Sequence, residues 1–455
     1  MLSLLLQLAL IDSARHAMGA EPARSIRVVG IQHTFQLGNA ERAEGPWRTT
    51  YARFSALYDA AAGQLRLTTQ PLSAGFGGQQ VAVLSDSVMA GGSAISYEDW
   101  TDRINASPER ALALAAASPS LRGVGTKQRY GLTFDVVEFP WRNGRMRIEL
   151  ERETHLPDVV EIVRTYPKDF RRAPFGDATV RFEYVDWQIH PGGWWWPMQH
   201  KISLNGEPLR DVTIDTVTTS DSPTPADSFA IPDSARAKYA ASLSRAPDAI
   251  HVGTTAPPSE LAPGILRIPE LWAMTVVRQD DGLVIFEAHQ SAQFLHDVID
   301  TALRRYPGLK IKALVMTSDP WAHLGGVPEA MSLGLPIYVN ARSIPFLSRL
   351  AKRPPRFVPV SGRVSIGTGT NRLELYPVGG PYGERMTMVY FPERRLLYGA
   401  DLVFPNQPGP GYDPTSATDL RRAVEREHIA VDSVFCVQRY GPFAWADYAA
   451  SATSR

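Results

Sequence analysis

The stretch Ala313-Leu-Val-Met-Thr-Ser-Asp-Pro-Trp-Ala-His-Leu-Gly-Gly326 decides the fold. Ala313 to Met316 is a short apolar run of the kind buried on both faces of a parallel sheet. It gives way to the polar Thr317-Ser318-Asp319 and Pro320, and Gly325-Gly326 opens onto a helical pattern from Val327 to Leu333. Upstream, Leu283 to Glu287 reads as a strand. It is followed by a helix, Ser291 to Arg305, with apolar spacing at Phe294, Leu295, Val298 and Leu303. Downstream, strands at Ile337 to Val339, Arg372 to Tyr376, Met386 to Phe391, Arg395 to Tyr398 and Ser433 to Val437 are interspersed with helices at Ser343 to Ala351 and Thr418 to Glu427. Strands and helices mixed in this order predict an α/β layered domain over residues 263–455.

The central stretch resembles the signature of the metallo-β-lactamase superfamily, Thr-His-x-His-x-Asp-His-x-Gly-Gly. The flanks agree in order. Arg304-Arg-Tyr-Pro-Gly308 resembles the helix end before the signature strand, and Gly334-Leu-Pro-Ile-Tyr-Val339 the strand after it. Tyr390-Phe-Pro-Glu-Arg-Arg-Leu-Leu-Tyr-Gly-Ala-Asp401 resembles the hairpin that delivers a metal-bridging aspartate. The resemblance runs from Pro263 to the end of the chain and implies an αββα sandwich, in a family of metal-dependent hydrolases.

The ligands that the resemblance implies are mostly replaced. The family's ligand positions are Ser318, Pro320, Ala322, His323, Tyr382, Asp401 and Tyr440 here, so only His323 and Asp401 keep the family's residue types. A catalytic zinc needs about three protein donors at roughly 2 Å. Pro320 and Ala322 offer no side-chain donor, the Ser318 hydroxyl stays protonated, and a tyrosine ligates only as phenolate, from a pKa near about 10. A two-metal pair about 3.5–4 Å apart does not assemble from what is left. Asp319, Glu287, His289 and Glu384 stand nearby in sequence as substitutes. His323 and Asp401 themselves read either as a retained structural hydrogen-bonding pair or as a metal-free acid/base pair. Tyr382 and Tyr440 read either as packing or as ligand-stacking residues.

Residues 1–230 read differently. Strands recur from Ser25 onward, with turns at Asn143-Gly144, Pro191-Gly192-Gly193 and Asn205-Gly206, and one helix, Pro108 to Ala117, interrupts them. This predicts a curved antiparallel β domain. Trp194-Trp195-Trp196 on a strand must send alternate rings to opposite faces, for core packing or for a greasy pocket. The region from Pro191 to Lys201, with Phe229-Ala-Ile-Pro232, resembles diffusely the half-barrel lipoprotein carriers of cell envelopes. Residues 231–262 are rich in Pro, Ser and Ala and read as a linker containing a short helix, Asp233 to Leu243.

Composition bounds the rest. At 455 residues the chain exceeds what one core usually serves. Forty-seven basic residues balance forty-seven acidic ones, which points away from a nucleic-acid partner. The single cysteine, Cys436, excludes an intramolecular disulfide and a thiolate zinc cluster, and reads as a small buried hydrophobe. The apolar run Met1 to Leu10 is too short to span a bilayer. It reads as the start of a helix ending near Gly19, or as a truncated export signal of a soluble extracytoplasmic protein.

The expectation is therefore a pseudoenzyme: a divergent metallo-β-lactamase-fold protein with a dismantled metal site. It would be non-catalytic, act by binding a small molecule or a protein, and need no cofactor. Two alternatives stand beside it. One is a metal-dependent hydrolase holding zinc or another divalent ion through substitute ligands. The other is a hydrophobic-ligand carrier acting through the N-terminal domain.

Overall fold

The computed structural model describes residues 2–19, 25–39, 43–59, 62–72, 78–85, 87–191, 193–220, 224–403, 405–406, 411–412, 414–438 and 441–450. The chain forms two compact units. One comprises residues 1–37, 47–169 and 175–246; the other comprises 38–46, 170–174 and 247–455.

The first unit is built on one twelve-stranded sheet. Its strands are β1 (Ser25–Phe35), β2 (Thr49–Asp59), β3 (Gln64–Pro71), β4 (Gln80–Leu84), β5 (Met89–Ala90), β6 (Arg122–Arg129), β7 (Leu132–Trp141), β8 (Gly144–Glu151), β9 (Pro157–Thr165), β10 (Asp177–His190), β11 (Trp194–Leu204) and β12 (Glu207–Ser220). Two antiparallel meanders, β1–β5 and β6–β12, join through a β1–β12 ladder. Hairpin chemistry explains the tight turns. Asn205 and Gly206 both take positive φ, 52° and 86°, as a primed turn between β11 and β12 requires. Four helices belong to this unit: α1 (Leu2–Met18), α2 (Ala94–Asn105), α3 (Pro108–Ala117) and α4 (Asp233–Leu243).

Helix α2 departs from the sequence expectation, which had only α3 at this point. Aromatic, β-branched and hydroxyl residues weaken its local propensity. Tertiary contacts supply the deficit: Asp102 accepts from Arg164 Nη2 at 2.9 Å and from Tyr166 Oη at 2.5 Å, all buried. The core of this unit collects Val28, Phe54, Leu67, Tyr97, Trp194, Trp196 and Tyr239. Trp194 and Trp196 thus face one way, and Trp195, half-buried, faces the other, as strand alternation demands.

The second unit is a sandwich of two mixed sheets. The first has order β13-β14-β15-β16-β17-β18-β19, from β13 (Ser259–Ala262), β14 (Ile265–Ile268), β15 (Met274–Gln279), β16 (Gly282–Phe286), β17 (Ile311–Met316), β18 (Ile337–Asn340) and β19 (Phe357–Val360). It is antiparallel up to β16 and parallel from there. The second contains β20 (Val364–Ile366), β21 (Leu373–Gly379), β22 (Glu384–Phe391) and β23 (Leu396–Tyr398). Beyond the small ribbon β24 (Pro405–Asn406) and β25 (Gly411–Tyr412), it is completed by β26 (Ser433–Phe435) and β27 (Phe443–Ala444).

Phe286, Val315 and Val284 from one sheet meet Leu375, Val389, Phe391, Tyr398 and Phe435 from the other in a shared core. Helix α5 (Ala292–Arg305) makes the crossover from β16 to parallel β17 and buries Phe294, Leu295, Val298 and Ala302. The signature glycines lead into α6 (Val327–Ser332), and α7 (Ile344–Ser348) follows β18. The one-turn α8 (Gly380–Gly383) lies between β21 and β22, and α9 (Pro414–Arg426) and α10 (Trp445–Ala450) close the chain. The far side of the second sheet packs Tyr376, Met388, Leu397 and Cys436 against Leu420, Ala423 and Tyr448. Burial there pushes the Cys436 thiol up to about 12, so it behaves as the small hydrophobe its apolar neighbours foretell. No described helix is long and apolar enough to cross a membrane.

Candidate functional site

In the second unit, three chain segments that leave strand ends converge. After β16 come Glu287, Ala288, His289 and Gln290, after β17 come Thr317 to Gly326, and after β23 come Gly399, Ala400 and Asp401. Crevices at the carboxyl ends of parallel strands are where such sheets hold ligands. The backbone is strained here: Glu287, Gln290 and Ala400, none of them glycine, sit at φ of 71°, 59° and 49°. Each such residue costs on the order of 1–3 kcal/mol and persists only where the surroundings enforce it.

The enforcement is visible. A Cβ on Gly325 would stand 1.9 Å from the Gln290 carbonyl oxygen, so only glycine permits this approach. The Gly326 amide donates to the Ala288 carbonyl at 2.9 Å. Gln290 donates from Nε2 to the Trp272 carbonyl at 3.0 Å. The glycine pair therefore clamps the signature loop onto residues 288–291 and carries His323 to His289, with ring centroids 4.6 Å apart. Trp272 stands edge-on to both rings, at 4.6 and 6.2 Å.

His323 and Asp401 are brought together. His323 Nδ1 lies 3.1 Å from Asp401 Oδ2, and both side chains are buried. The direction of approach falls outside hydrogen-bond geometry, so the contact is electrostatic. Ser318 Oγ donates to the same oxygen at 2.7 Å. Burial alone would raise the Asp401 carboxyl; His323, the Ser318 hydroxyl and His289 together outweigh it and hold the group below its ordinary range. On the other side, Glu287 accepts from the Thr317 amide and hydroxyl and from Tyr398 Oη at 3.2 Å. His289 Nε2 stands 3.6 Å from Glu287 Oε2. Among the described residues neither ring nitrogen of the fully buried His289 has a hydrogen-bond partner, and burial, reinforced by His323, depresses its pKa.

The other positions implied by the resemblance do not join this cluster as donors. Pro320 and Trp321 turn the chain, with the Trp321 amide and indole N–H donating to the carbonyls of Gly38 and Ala43 at 3.0 and 2.9 Å. Ala322 offers a methyl group. Tyr382 is spent on packing beside α9, its amide donating to Asp419 at 2.7 Å. Tyr440 lies outside the described residues. Of the substitute candidates, Asp319 is bound by Arg385 through Nε and Nη2 at 2.8 and 2.6 Å, and Arg385 also donates to Glu44 at 3.0 Å. Glu384 pairs with Arg342 at the surface. Arg385, Glu44 and Trp272 carry no family motif, and nothing in the sequence pattern marks them.

The donor set does not fit a family-type metal centre. Among the described residues, no group of three His, Cys, Asp or Glu side chains could hold a metal ion. Nor is the Ser–Asp–His grouping a nucleophilic triad. A triad needs serine to donate to histidine, and here the Ser318 hydroxyl donates to Asp401 instead.

No protein-family model and no curated protein matches the chain. Among solved structures, the chain is similar to a metallo-β-lactamase from Pontibacter korlensis at 15% identity, with 44% of this chain and 99% of that one covered and a TM-score of 0.37. A metallo-β-lactamase from Erythrobacter litoralis matches at 13% identity over 43% of this chain and 93% of its own, TM-score 0.36. A double mutant of the sec-alkyl sulfatase PisA1 matches at 14% identity over 44% of this chain and 41% of its own, TM-score 0.36. The second unit's own geometry, two facing mixed sheets with helices and a buried polar cluster at the strand ends, is the metallo-β-lactamase-like αββα architecture that the signature stretch predicts.

Proposed function

We propose that the protein is a divergent metallo-β-lactamase-fold protein whose metal centre has been replaced by internal hydrogen bonds, and that it acts by binding rather than by metal-dependent hydrolysis. One observation carries this reading. The acidic groups that could serve a metal here are held by the protein itself: Asp401, at a ligand position the resemblance implies, by Ser318 and His323, and Asp319, a substitute candidate, by Arg385. Arg385 supplies at Asp319 the positive charge that an ion would bring, and it does so permanently. The resident group is then no metal at all, and the ligand is a small molecule or a protein met at the crevice beneath Gly325-Gly326.

Elemental analysis tests this directly. Protein expressed with added zinc, manganese and iron, then passed through a desalting column, should carry well under one equivalent of any of them, and its melting temperature should not move with EDTA. Stoichiometric metal released by chelator with loss of stability would overturn the reading.

The unpartnered ring nitrogens of His289 favour a second reading. They stand beside His323 and Asp401; the three do not form an ion site as placed, so this reading, a metal-dependent hydrolase with substitute ligands, requires the side chains to shift on taking up an ion. The same measurement separates the two, and a His289→Ala variant that loses a bound ion would decide for the second.

A further inference from the structure

The first unit carries a cleft of about 600 Å³ at one end of strands β7–β11. Leu132, Leu156, Trp187 and Trp195 supply its apolar walls. Asp186 takes a positive φ of 56° without changing the β10–β11 register, and beyond it Trp187, Ile189 and Trp195 share one face. The apolar surface continues outward from the cleft: Ile189, directly opposite Trp195 in the ladder, is 62% exposed, and Leu132 is 46% exposed.

The charged residues lining the cleft are all acidic: Glu151, Glu153 and Asp158, with no lysine, arginine or histidine among them. Arg129 neutralises Asp158 from the side. Glu151 accepts from the amides of Glu153 and Thr154 at 3.1 and 2.6 Å, which fixes the β8–β9 turn and keeps the carboxylate ionised. The exposed Glu153 carboxylate has no partner among the described residues. The indole N–H of Trp187 is buried and also without a partner. Two indoles, an uncompensated carboxylate and an apolar track leading away are the elements that recognise an ammonium head on an apolar tail. The ring faces attract the cation and the carboxylates balance it. The tail gains by covering the track.

We infer that this cleft binds a cationic amphiphile, a quaternary or protonated ammonium group carrying an apolar chain. The site is independent of the crevice in the second unit, so its failure leaves the reading of that crevice untouched. The probe is decyltrimethylammonium, titrated below its micelle concentration into the full-length protein by calorimetry and tryptophan fluorescence. Decyl sulfate and decyl maltoside, with the same chain, serve as the anionic and neutral arms. Saturable one-to-one binding of the cation is expected, weakened several-fold by high salt. Glu153→Gln, on an exposed turn that tolerates the change, should weaken it about threefold to tenfold, and Trp187→Phe by a similar factor. A Trp195→Leu variant gives a second reading should Trp187→Phe perturb the strand beside Asp186. Equal affinity for all three head groups, absence of saturation, or indifference to Glu153→Gln would overturn the assignment.

Discussion

Ser318 and Asp401, at two positions where the resemblance implies metal ligands, are hydrogen-bonded to each other at 2.7 Å. Two donors that share an ion at about 2 Å each are held farther apart than this by the ion's own tetrahedral geometry. The serine therefore occupies the direction in which Asp401 would offer a lone pair. Its hydroxyl gives the carboxylate one of the hydrogen bonds that a buried charge requires. On the proposed reading, a serine in place of the expected histidine and the stabilisation of Asp401 are one change seen from two residues.

Replacing Asp401 by Asn tests the weight of that contact. The amide keeps the shape and removes the charge on which Ser318 and His323 converge, so stability at pH 7 should fall by about 1.5–3 kcal/mol in urea unfolding. The sign of the pH dependence follows from the lowered carboxyl. The contribution is complete above the unfolded carboxyl's value, near about 4, and is lost as pH falls through the still lower folded value. The gap between the wild type and Asp401→Asn should therefore close on acidification from about pH 4 downward. A gap that stayed constant from pH 7 to about pH 3 would show that Asp401 carries no charge-dependent role.

Arg385→Ala should be costlier at neutral pH. It strands Asp319, which is buried, and releases Glu44, which is not. Breaking a buried pair from one side typically costs about 3–5 kcal/mol. Burial already raises the Asp319 carboxyl in spite of Arg385, and removing the guanidinium takes away the opposing effect. A carboxyl raised in the folded state penalises folding as pH climbs above the unfolded value, so the variant's deficit should be smallest near about pH 4 and grow toward pH 8. Adding Asp319→Asn should restore part of the loss at pH 8. Thermal melts across that range, with both variants, decide it: a deficit independent of pH would place the cost in packing rather than charge.

The sequence makes the second unit's fold readable because strand, polar loop, paired glycines and helix occur in an order that few architectures share. It makes the lack of side-chain donors at Pro320 and Ala322 readable, because proline and alanine have none whatever their surroundings. The replacement network was only partly legible. His289 and Asp319 stand out by residue type and by nearness to the motif. Arg385 lies in an ordinary strand, and Glu44 lies far away in sequence, in a segment that belongs to the second unit although first-unit elements flank it. No periodicity marks such a pairing, because it is set by long-range tertiary contact. Helix α2 escaped notice for the same reason, since its stability resides in Asp102, Arg164 and Tyr166 rather than in its own propensity.

The paired glycines give the sharpest test of what holds the polar loop in place without a metal ion. A Cβ on Gly325 would meet the carbonyl oxygen and carbon of Gln290 at 1.9 and 2.5 Å, both backbone atoms that cannot swing aside. The nearest atoms to a Cβ on Gly326, the carbonyl oxygens of Ser291, Ala288 and His289, lie at 3.0 to 3.3 Å, so the loop need move only by tenths of an ångström there against more than one ångström at Gly325. Gly325→Ala must push the 288–291 loop away, loosening the clamp that brings His289 against His323 and Trp272. It should cost about 2–4 kcal/mol, at or beyond the upper end of ordinary overpacking. Gly326→Ala should cost about 1 kcal/mol or less. Paired melts of the two variants measure the difference, and Trp272, beside both imidazoles, should report it by a fluorescence change confined to Gly325→Ala. Equal tolerance of alanine at the two positions would mean that the loop is not held by backbone contact, and that the His289–His323 juxtaposition has another cause.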